Sequence, residues 1–350
     1  MKSSKASQES SKASQIMRWV GSATAILALA AGIGGIGKTV LNRLETRRKI
    51  DAFISSESVQ LQGHDYWSAW RSLEQASQAD PGSAKVQAAQ EALAMEWLEK
   101  IHVGEKERFS DIAEKLDPVL TRGVGAAQSK RQQADLLAHL GWSYFLRIRE
   151  GRSGLDPAGA YTEAVKKDAN NPYAQAMWGH WILWNNGPVE NAEQHFSSAL
   201  ASNRQRAYVR QLQLTALMNG ASHETEIIRV ANAIRTEQGA APDPATQHRV
   251  FPIYYFKLLH PDAATTRFIN AVPPAEHVAT FRWLFDGYAL DESNSRLRSY
   301  YLSALEEAAG QRDEALAGYR LIQQQTVGQS GPLRDAAESG IRRLSRKQDR

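Results

Sequence analysis

The sequence predicts an all-α protein made of repeated helical hairpins, preceded by a single N-terminal transmembrane helix. Apolar residues recur at the three- and four-residue spacing of a helix face through most of the chain. Proline, glycine and asparagine interrupt that spacing at intervals that match pairs of short helices. From Trp19 to Gly37 the chain carries 19 consecutive uncharged residues. The first two observations predict the hairpins, and the third predicts the membrane span.

The N-terminal segment divides into a tail and an anchor. Residues 1–15 offer almost nothing to bury, which predicts a disordered tail. Residues 16–38 are the predicted anchor, because 19 uncharged residues form a helix of about 28 Å, close to the hydrocarbon thickness of a bilayer. Basic residues are nearly balanced on its two sides, but long domains translocate largely regardless of charge and a short basic tail tends to stay inside, which favours a repeat domain outside the cytoplasm. The Ala28-Leu29-Ala30 sequence leaves open a cleaved signal peptide and a secreted, soluble repeat domain.

The glycine-rich stretch from Gly32 to Thr39 also satisfies G-x-x-x-x-G-K-[ST], the pattern of a phosphate-binding P-loop. In that alternative, the backbone at Gly37, the Lys38 ammonium and the Thr39 hydroxyl would hold phosphates and magnesium. A P-loop also needs a parallel sheet and an acidic residue that ends a second apolar strand. No strand–helix alternation follows Thr39, and the nearest apolar run before an acid, 283–286, has helical spacing. We therefore prefer a membrane helix that meets its basic flank.

The rest of the chain is predicted to be helical in three parts. Residues 39–60 form a linker helix that is first basic and then amphipathic. Residues 61–238 form the main array of hairpins, within which the Arg-Gly-Val-Gly sequence at 122–125 is expected to end a helix. A proline-rich break at 240–244 then introduces the C-terminal helical repeats, residues 239–346.

The clearest hairpin pattern begins at Leu137. One face of its first helix carries apolar residues at i, i+3 and i+7, namely Leu137, Leu140 and Tyr144. Gly141 lies within that face and removes a side chain where a second helix must approach closely. A comparable face on the second helix begins at Tyr161 and Ala164, and the Asn171-Pro172 step ends one helix and starts the next.

The same arrangement then recurs. Trp178 and Gly179 correspond to Leu140 and Gly141, and the second helix of this copy carries small and aromatic residues at Ala192, Phe196 and Ala199. Tyr161 and Phe196, which occupy matching positions, are 35 residues apart. The pattern resembles the tetratricopeptide repeat, a pair of antiparallel helices of about 34 residues. It covers residues 134–204 and, with fewer matching positions, 64–100 and 296–325.

The resemblance implies an α-solenoid in which neighbouring hairpins share one apolar core. It also implies a concave face that binds a protein or peptide partner, so a scaffold or adaptor is expected rather than an enzyme. Two positions depart from the family pattern: Pro157 replaces a small residue, and Ala169 replaces the proline that ends a unit.

Composition and spacing exclude several kinds of site. The chain has no cysteine, so it can form neither a disulfide nor a thiolate zinc site. Its net charge is only +4 and its basic residues cluster at the termini, which does not indicate nucleic-acid binding. His180 and His195 stand 15 residues apart, without a carboxylate at a spacing typical of metal ligands. We expect no catalytic residue, metal, cofactor or small-molecule substrate.

Two groups of residues are candidates for contact with a partner. Trp178, Trp181 and Trp184 belong to one helix, and because three-residue steps rotate around a helix, Trp178 and Trp181 cannot both lie in the hairpin core with Trp184. Tryptophan is among the residues that dominate interface energies. Arg204, Arg206 and Arg210 begin the following helix and could favour an acidic peptide. Packing and solvation remain the simpler explanations for both groups.

Overall fold

The structure, a computed structural model, describes residues 44–100, 108–220, 223–239, 241–259 and 262–346. Regular structure in these ranges is entirely helical, without a strand. Within the same ranges, no helix combines the length and apolar character needed to cross a membrane. The predicted tail (1–15), the anchor (16–38) and the P-loop sequence (Gly32 to Thr39) lie outside the described residues.

The described helices are numbered α1 to α16 in chain order. The first eight are α1 (44–62), α2 (Tyr66–Ala79), α3 (Ala84–Lys100), α4 (Phe109–Ala126), α5 (Lys130–Arg149), α6 (Pro157–Lys167), α7 (Pro172–Trp184) and α8 (Val189–Ala201). They are followed by α9 (Arg206–Asn219), α10 (Glu224–Gln238) and α11 (Pro244–Tyr254), which continues into a π-helical turn (Tyr255–Leu259). The last five are α12 (Ala263–Ile269), α13 (Pro274–Phe285), α14 (Glu292–Ala308), α15 (Arg312–Gln325) and α16 (Pro332–Arg346).

The chain divides into two compact units. The first comprises Met1–Arg108 and Pro118–Gly123, and the second comprises Phe109–Asp117 and Val124–Arg350. The predicted division into 61–238 and 239–346 stays a prediction.

In the first unit, α1 packs its apolar face on the α2–α3 hairpin. Ile50 of α1 lies in a core cluster with Ala76 and Val86. The indole ring of Trp97 is buried and stacks against the ring of Tyr66, with 5.8 Å between the ring centroids. These contacts confirm the hairpin that the sequence predicts for this part of the chain.

The expected helix end at 122–125 is wrong, because α4 continues through these residues to Ala126. Gly123 faces α3, and a Cβ atom placed on it would come within 2.8 Å of the Glu91 carboxylate. The low helix propensity of glycine therefore does not end the helix here, which is the usual limit of propensity as a guide.

In the second unit, glycine lies where the two helices of a hairpin come closest. A Cβ atom on Gly141 of α5 would lie 2.6 Å from the ring of Tyr161 on α6. A Cβ atom on Gly179 of α7 would lie 3.0 Å from the ring of Phe196 on α8. Near the C-terminus, a Cβ atom on Gly340 of α16 would lie 2.5 Å from the ring of Tyr319 on the preceding helix, α15. The close approach of a second helix that the sequence predicts at Gly141 is confirmed, and the structure shows that an aromatic ring makes the contact.

Helices α7 and α11 begin as the sequence predicts, with a capping residue followed by proline. Asn171 caps α7 by accepting a hydrogen bond from the backbone N–H of Ala174 at 2.9 Å, and Pro172 occupies the first turn. Asp243 and Pro244 start α11 in the same way. Such caps satisfy backbone N–H groups that the first turn of a helix leaves unpaired.

The first helices of neighbouring hairpins lie side by side and run in the same direction. Near the start of α7, Tyr173 contacts Tyr208 near the start of α9, with 5.4 Å between the ring centroids. Near the end of α7, Trp184 contacts Phe145 near the end of α5. Because α8 runs antiparallel to α7, this order gives a row of parallel first helices (α5, α7, α9), as in a helical repeat array.

Candidate functional site

The two predicted tryptophans pack against different neighbours. Trp178 is half-buried and stacks on His195 of α8, with 4.5 Å between the ring centroids. Trp181 is also half-buried and meets the edge of Phe145 on α5. The structure therefore places Trp178 against the second helix of its own hairpin and Trp181 against the preceding hairpin. Their role in partner binding stays a prediction.

His180 belongs to the buried contact between α5 and α7. Its ring lies between Trp142 and Phe145, with ring centroids about 5 Å apart in both pairs. Burial, with a smaller contribution from the charge of Arg149, lowers the pKa of His180 to about 3. The histidine is therefore neutral at physiological pH and cannot act as a proton donor there.

His195 forms a separate polar contact on the other side of α7. Its Nδ1 lies 2.6 Å from the side-chain oxygen of Gln175, and burial lowers the pKa of the ring. His180 and His195 face different neighbours. No cluster of three or more potential metal ligands occurs in the part of the chain that the structure describes.

Arg204 joins the beginnings of two hairpins. Its guanidinium lies 3.4 Å from the carboxylate of Asp168 and 3.9 Å from that of Asp135. Asp135 also accepts a hydrogen bond of 2.6 Å from the side-chain amide of Asn171, the residue that caps α7. Arg204 thus contributes to an intramolecular network between repeats.

Arg206 and Arg210 are brought together by one carboxylate. Each places a guanidinium nitrogen 2.8 Å from Glu237 of α10. Hydrogen bonds from Arg210 and then from Arg206, with the two positive charges, hold the pKa of Glu237 below its usual range. Glu237 therefore stays ionised at neutral pH and pairs with both arginines, as the carboxylate of an acidic partner would.

A hollow of about 900 Å³ lies between α8, α9 and α10, and Arg210 is one of the residues that line it. Its walls combine apolar side chains (Val189, Val230 and Ala233) with polar ones (Glu190, Glu193, Gln194 and Gln213). Within this lining, the Gln213 amide donates to both carboxylate oxygens of Glu193, at 3.0 and 2.9 Å. This volume lies within the range of sites that hold a small ligand or a few side chains.

The predicted residues do not form one compact site. Tyr173 marks the level at which α7 and α9 begin together. Trp181 lies eight residues further along α7, about 12 Å along the helix axis. The arginines, by contrast, lie within the first five residues of α9 or just before it. One extended segment of about four residues would be needed to reach both groups.

Sequence reasoning did not single out two exposed aromatic residues as contact candidates. Trp184 is 40% exposed, more than Trp178 or Trp181, and it is the last residue of α7 before the turn. Phe256 is 67% exposed and lies in the π-helical turn after α11. Position next to a helix end was the only available signal for Trp184. The π-helical turn, which widens the helix three residues after Pro252, has no clear sequence signature.

The P-loop alternative requires a second apolar strand, and the described residues contain no strand. Gly37, Lys38 and Thr39 lie outside them. The apolar run considered for that strand, 283–286, is the end of α13 and its C-cap residue Asp286. The helical interpretation of this run is confirmed.

Comparison with protein-family models and with curated proteins finds no match. Among solved structures, the chain is similar to a tetratricopeptide repeat protein from Parabacteroides merdae, with 12% identity and a TM-score of 0.40, covering 85% of this chain and 99% of that one. It is also similar to the S. pombe nuclear import adaptor Nro1, with 10% identity and a TM-score of 0.37, covering 84% and 99%. A third similar structure is the human IFIT1 dimer with m7Gppp-AAAA, with 10% identity and a TM-score of 0.35, covering 88% and 85%.

The class of the fold follows from the packing of the hairpins. Antiparallel helix pairs, glycine–aromatic crossings and parallel first helices define a degenerate tetratricopeptide-like repeat fold.

Proposed function

We propose that the protein is a repeat scaffold or adaptor that binds a protein or peptide partner, and that it is not an enzyme. The observation that carries this proposal is the hollow between α8, α9 and α10. It is large enough for several side chains and is lined by Arg210, which the sequence already singles out. In stacked repeats, a binding surface can form from outward-facing residues while the shared core stays the same, which supports a binding role for this hollow.

The partner segment that fits this surface carries an acidic residue next to an apolar one. A carboxylate from the partner can replace Glu237 as the acceptor for Arg210, since both would use the same guanidinium nitrogens. An apolar side chain can pack on Val189 and Val230, which lie on opposite walls. Trp181 and Trp184 belong to the alternative surface, the row of first helices, which the repeat resemblance makes concave.

Site-specific crosslinking in the native cells separates these two surfaces. A photoreactive phenylalanine analogue replaces Gln194 in the hollow or Trp184 on the first-helix row, and Leu321 on α15 serves as the control. Leu321 is 45% exposed and Trp184 is 40% exposed, so accessibility is matched. We expect one protein to be captured from position 194 and not from 321. Equal capture from all three positions would contradict a defined surface.

The captured partner then allows the chemistry to be tested. A purified peptide from its crosslinked segment is expected to bind the wild-type protein and to lose affinity with Arg210→Gln. Glu237→Gln removes the intramolecular competitor and is expected to increase affinity. If Glu237→Gln weakens binding as much as Arg210→Gln does, the acidic-partner proposal is wrong.

We further propose that residues 16–38 anchor the scaffold in a membrane, with the repeats outside the cytoplasm. The uncharged run from Trp19 to Gly37 supports the anchor. The mass of the protein isolated from cells tests it: an intact Met1 with resistance to alkaline extraction is expected. A mature N-terminus near Ala31 would instead identify a cleaved signal peptide, and protection of the repeats from external protease would reverse the orientation.

A further inference from the structure

A second hollow, of about 690 Å³, lies between α10, the π-helical turn and α12. Three cationic side chains line it, one from each of these elements: Arg229, Lys257 and Arg267. Two carboxylates, those of Glu224 and Glu226, also line it. The charged side chains in the lining therefore sum to one positive charge, while the Asp262 carboxylate, which interacts with the charge of Lys257, lies outside the lining.

Lys257 is the most enclosed of the three cations. Its side chain is only 17% exposed, and its nearest carboxylate, that of Glu224, is 3.6 Å away. This separation exceeds the 2.7–2.9 Å typical of a charge-assisted hydrogen bond. Among the described residues, no acceptor lies within hydrogen-bonding distance of the Lys257 ammonium. Its side chain also lines the hollow, so the ammonium can donate to a ligand bound there.

The two arginines also keep donors available. Arg229 approaches Glu226 only to 4.0 Å and uses its Nε to donate to the backbone oxygen of Ala271. Arg267 is exposed and forms no ion pair with any residue that the structure describes. Thr225 and Thr266 add hydroxyl groups to the lining. Donors from three separate elements thus surround one space.

We propose that this hollow binds a small ligand through a phosphoryl group, with Lys257 and Arg267 as the principal contacts. A phosphoryl group presents three oxygens, which can accept from the three cations that line this one space, whereas a carboxylate presents only two. The volume exceeds that of a phosphate ion and leaves room for the remainder of a small molecule. The ligand is a phosphorylated metabolite or the glycerophosphate headgroup of a lipid.

Isothermal titration calorimetry on the full chain tests this site at constant ionic strength. The probes are inorganic pyrophosphate and sn-glycerol 3-phosphate. The Lys257→Gln/Arg267→Gln double variant is expected to bind the preferred probe at least tenfold more weakly than the wild type. The control, Lys130→Gln/Arg320→Gln, removes two exposed cations elsewhere, with the same change in charge, and is expected to bind as the wild type does.

The outcomes discriminate between sources and between sites. Preference for pyrophosphate indicates a diphosphate-bearing ligand, and preference for sn-glycerol 3-phosphate indicates a glycerophosphate. In the latter case, the protein is expected to bind vesicles that contain phosphatidylglycerol only if the source is a lipid. Binding that survives Lys257→Gln/Arg267→Gln but disappears in Lys38→Ala would assign the phosphate to the P-loop sequence and overturn the proposal. Absence of binding by the wild type, or equal weakening in the control variant, would also overturn it. Thr225→Val keeps every charge and is expected to weaken binding. This variant therefore tests the site even if the charge variants fail to fold.

Discussion

Gly141→Ala tests whether the hairpins are held at the observed separation. The new Cβ atom would lie 2.6 and 2.9 Å from two ring carbons of Tyr161 and 3.1 Å from the Cβ atom of Ala160. Tyr161 is fully buried, so its ring has no free space into which to move. Overpacking of this kind costs about 1–3 kcal/mol, and three close contacts in a buried site favour the upper part of that range.

The helix itself would gain from the same substitution, so the two effects must be separated. Alanine is favoured over glycine inside a helix by about 0.5–1 kcal/mol. A net loss of about 1–2 kcal/mol in the free energy of unfolding is therefore expected for Gly141→Ala. Gly125→Ala is the matched control, because Gly125 is also helical and a Cβ atom there meets nothing within 4 Å. That variant is expected to be as stable as the wild type or slightly more stable.

Urea denaturation followed by circular dichroism at 222 nm measures both variants. Tyr161→Leu in the Gly141→Ala background is expected to restore part of the loss, because the smaller side chain leaves room for the added methyl group. The double-mutant cycle then gives a coupling energy between the two positions. If Gly141→Ala proves as stable as Gly125→Ala, the close crossing of α5 and α6 is incorrect.

Two further predictions concern pH. Burial lowers the pKa of His180 from 6.5 to about 3 in the folded state, so the contribution of this residue to the free energy of unfolding is complete above pH 6.5 and falls by ~3 kcal/mol at pH 4. In denaturation experiments, His180→Met is expected to flatten this pH dependence, whereas His248→Met, at an exposed position, is not. Because Arg210 and Arg206 depress the pKa of Glu237, its contribution is present above about pH 4.5 and is lost as the pH falls through the folded-state pKa. Glu237→Gln should therefore be less stable than the wild type at pH 7 by no more than about 1 kcal/mol, and a gap that persists at pH 3 would contradict this origin.

Helix pairing was the most predictable property of this chain. Gly141 and Gly179 stand in the sequence where a helix face would otherwise carry a large residue, and each meets the predicted aromatic residue in the structure. Asn171 and Pro172 likewise act where local chemistry predicts a cap and a first turn. These features depend on residues a few positions apart, so the sequence displays them directly.

The candidate sites were less predictable, because they depend on residues far apart in the chain. Trp178 is half-buried because His195 of the next helix covers it. Arg210 contacts Glu237, 27 residues away, and thereby lines the hollow between three helices. Spacing along α7 or α9 could identify these side chains as available, but not the groups that they contact.

By itself the sequence determined that this chain folds as successive helical hairpins, because period, caps and small residues act within one or two helices. Only the tertiary structure decided which charged groups neutralise one another and which remain available around a hollow. Lys257 illustrates the difference: in the sequence it is one lysine in an aromatic run, and in the structure its side chain is only 17% exposed and lies 3.6 Å from the Glu224 carboxylate beside a hollow. Electrostatic environment depends on every element packed nearby, so it appears only when the helices are assembled.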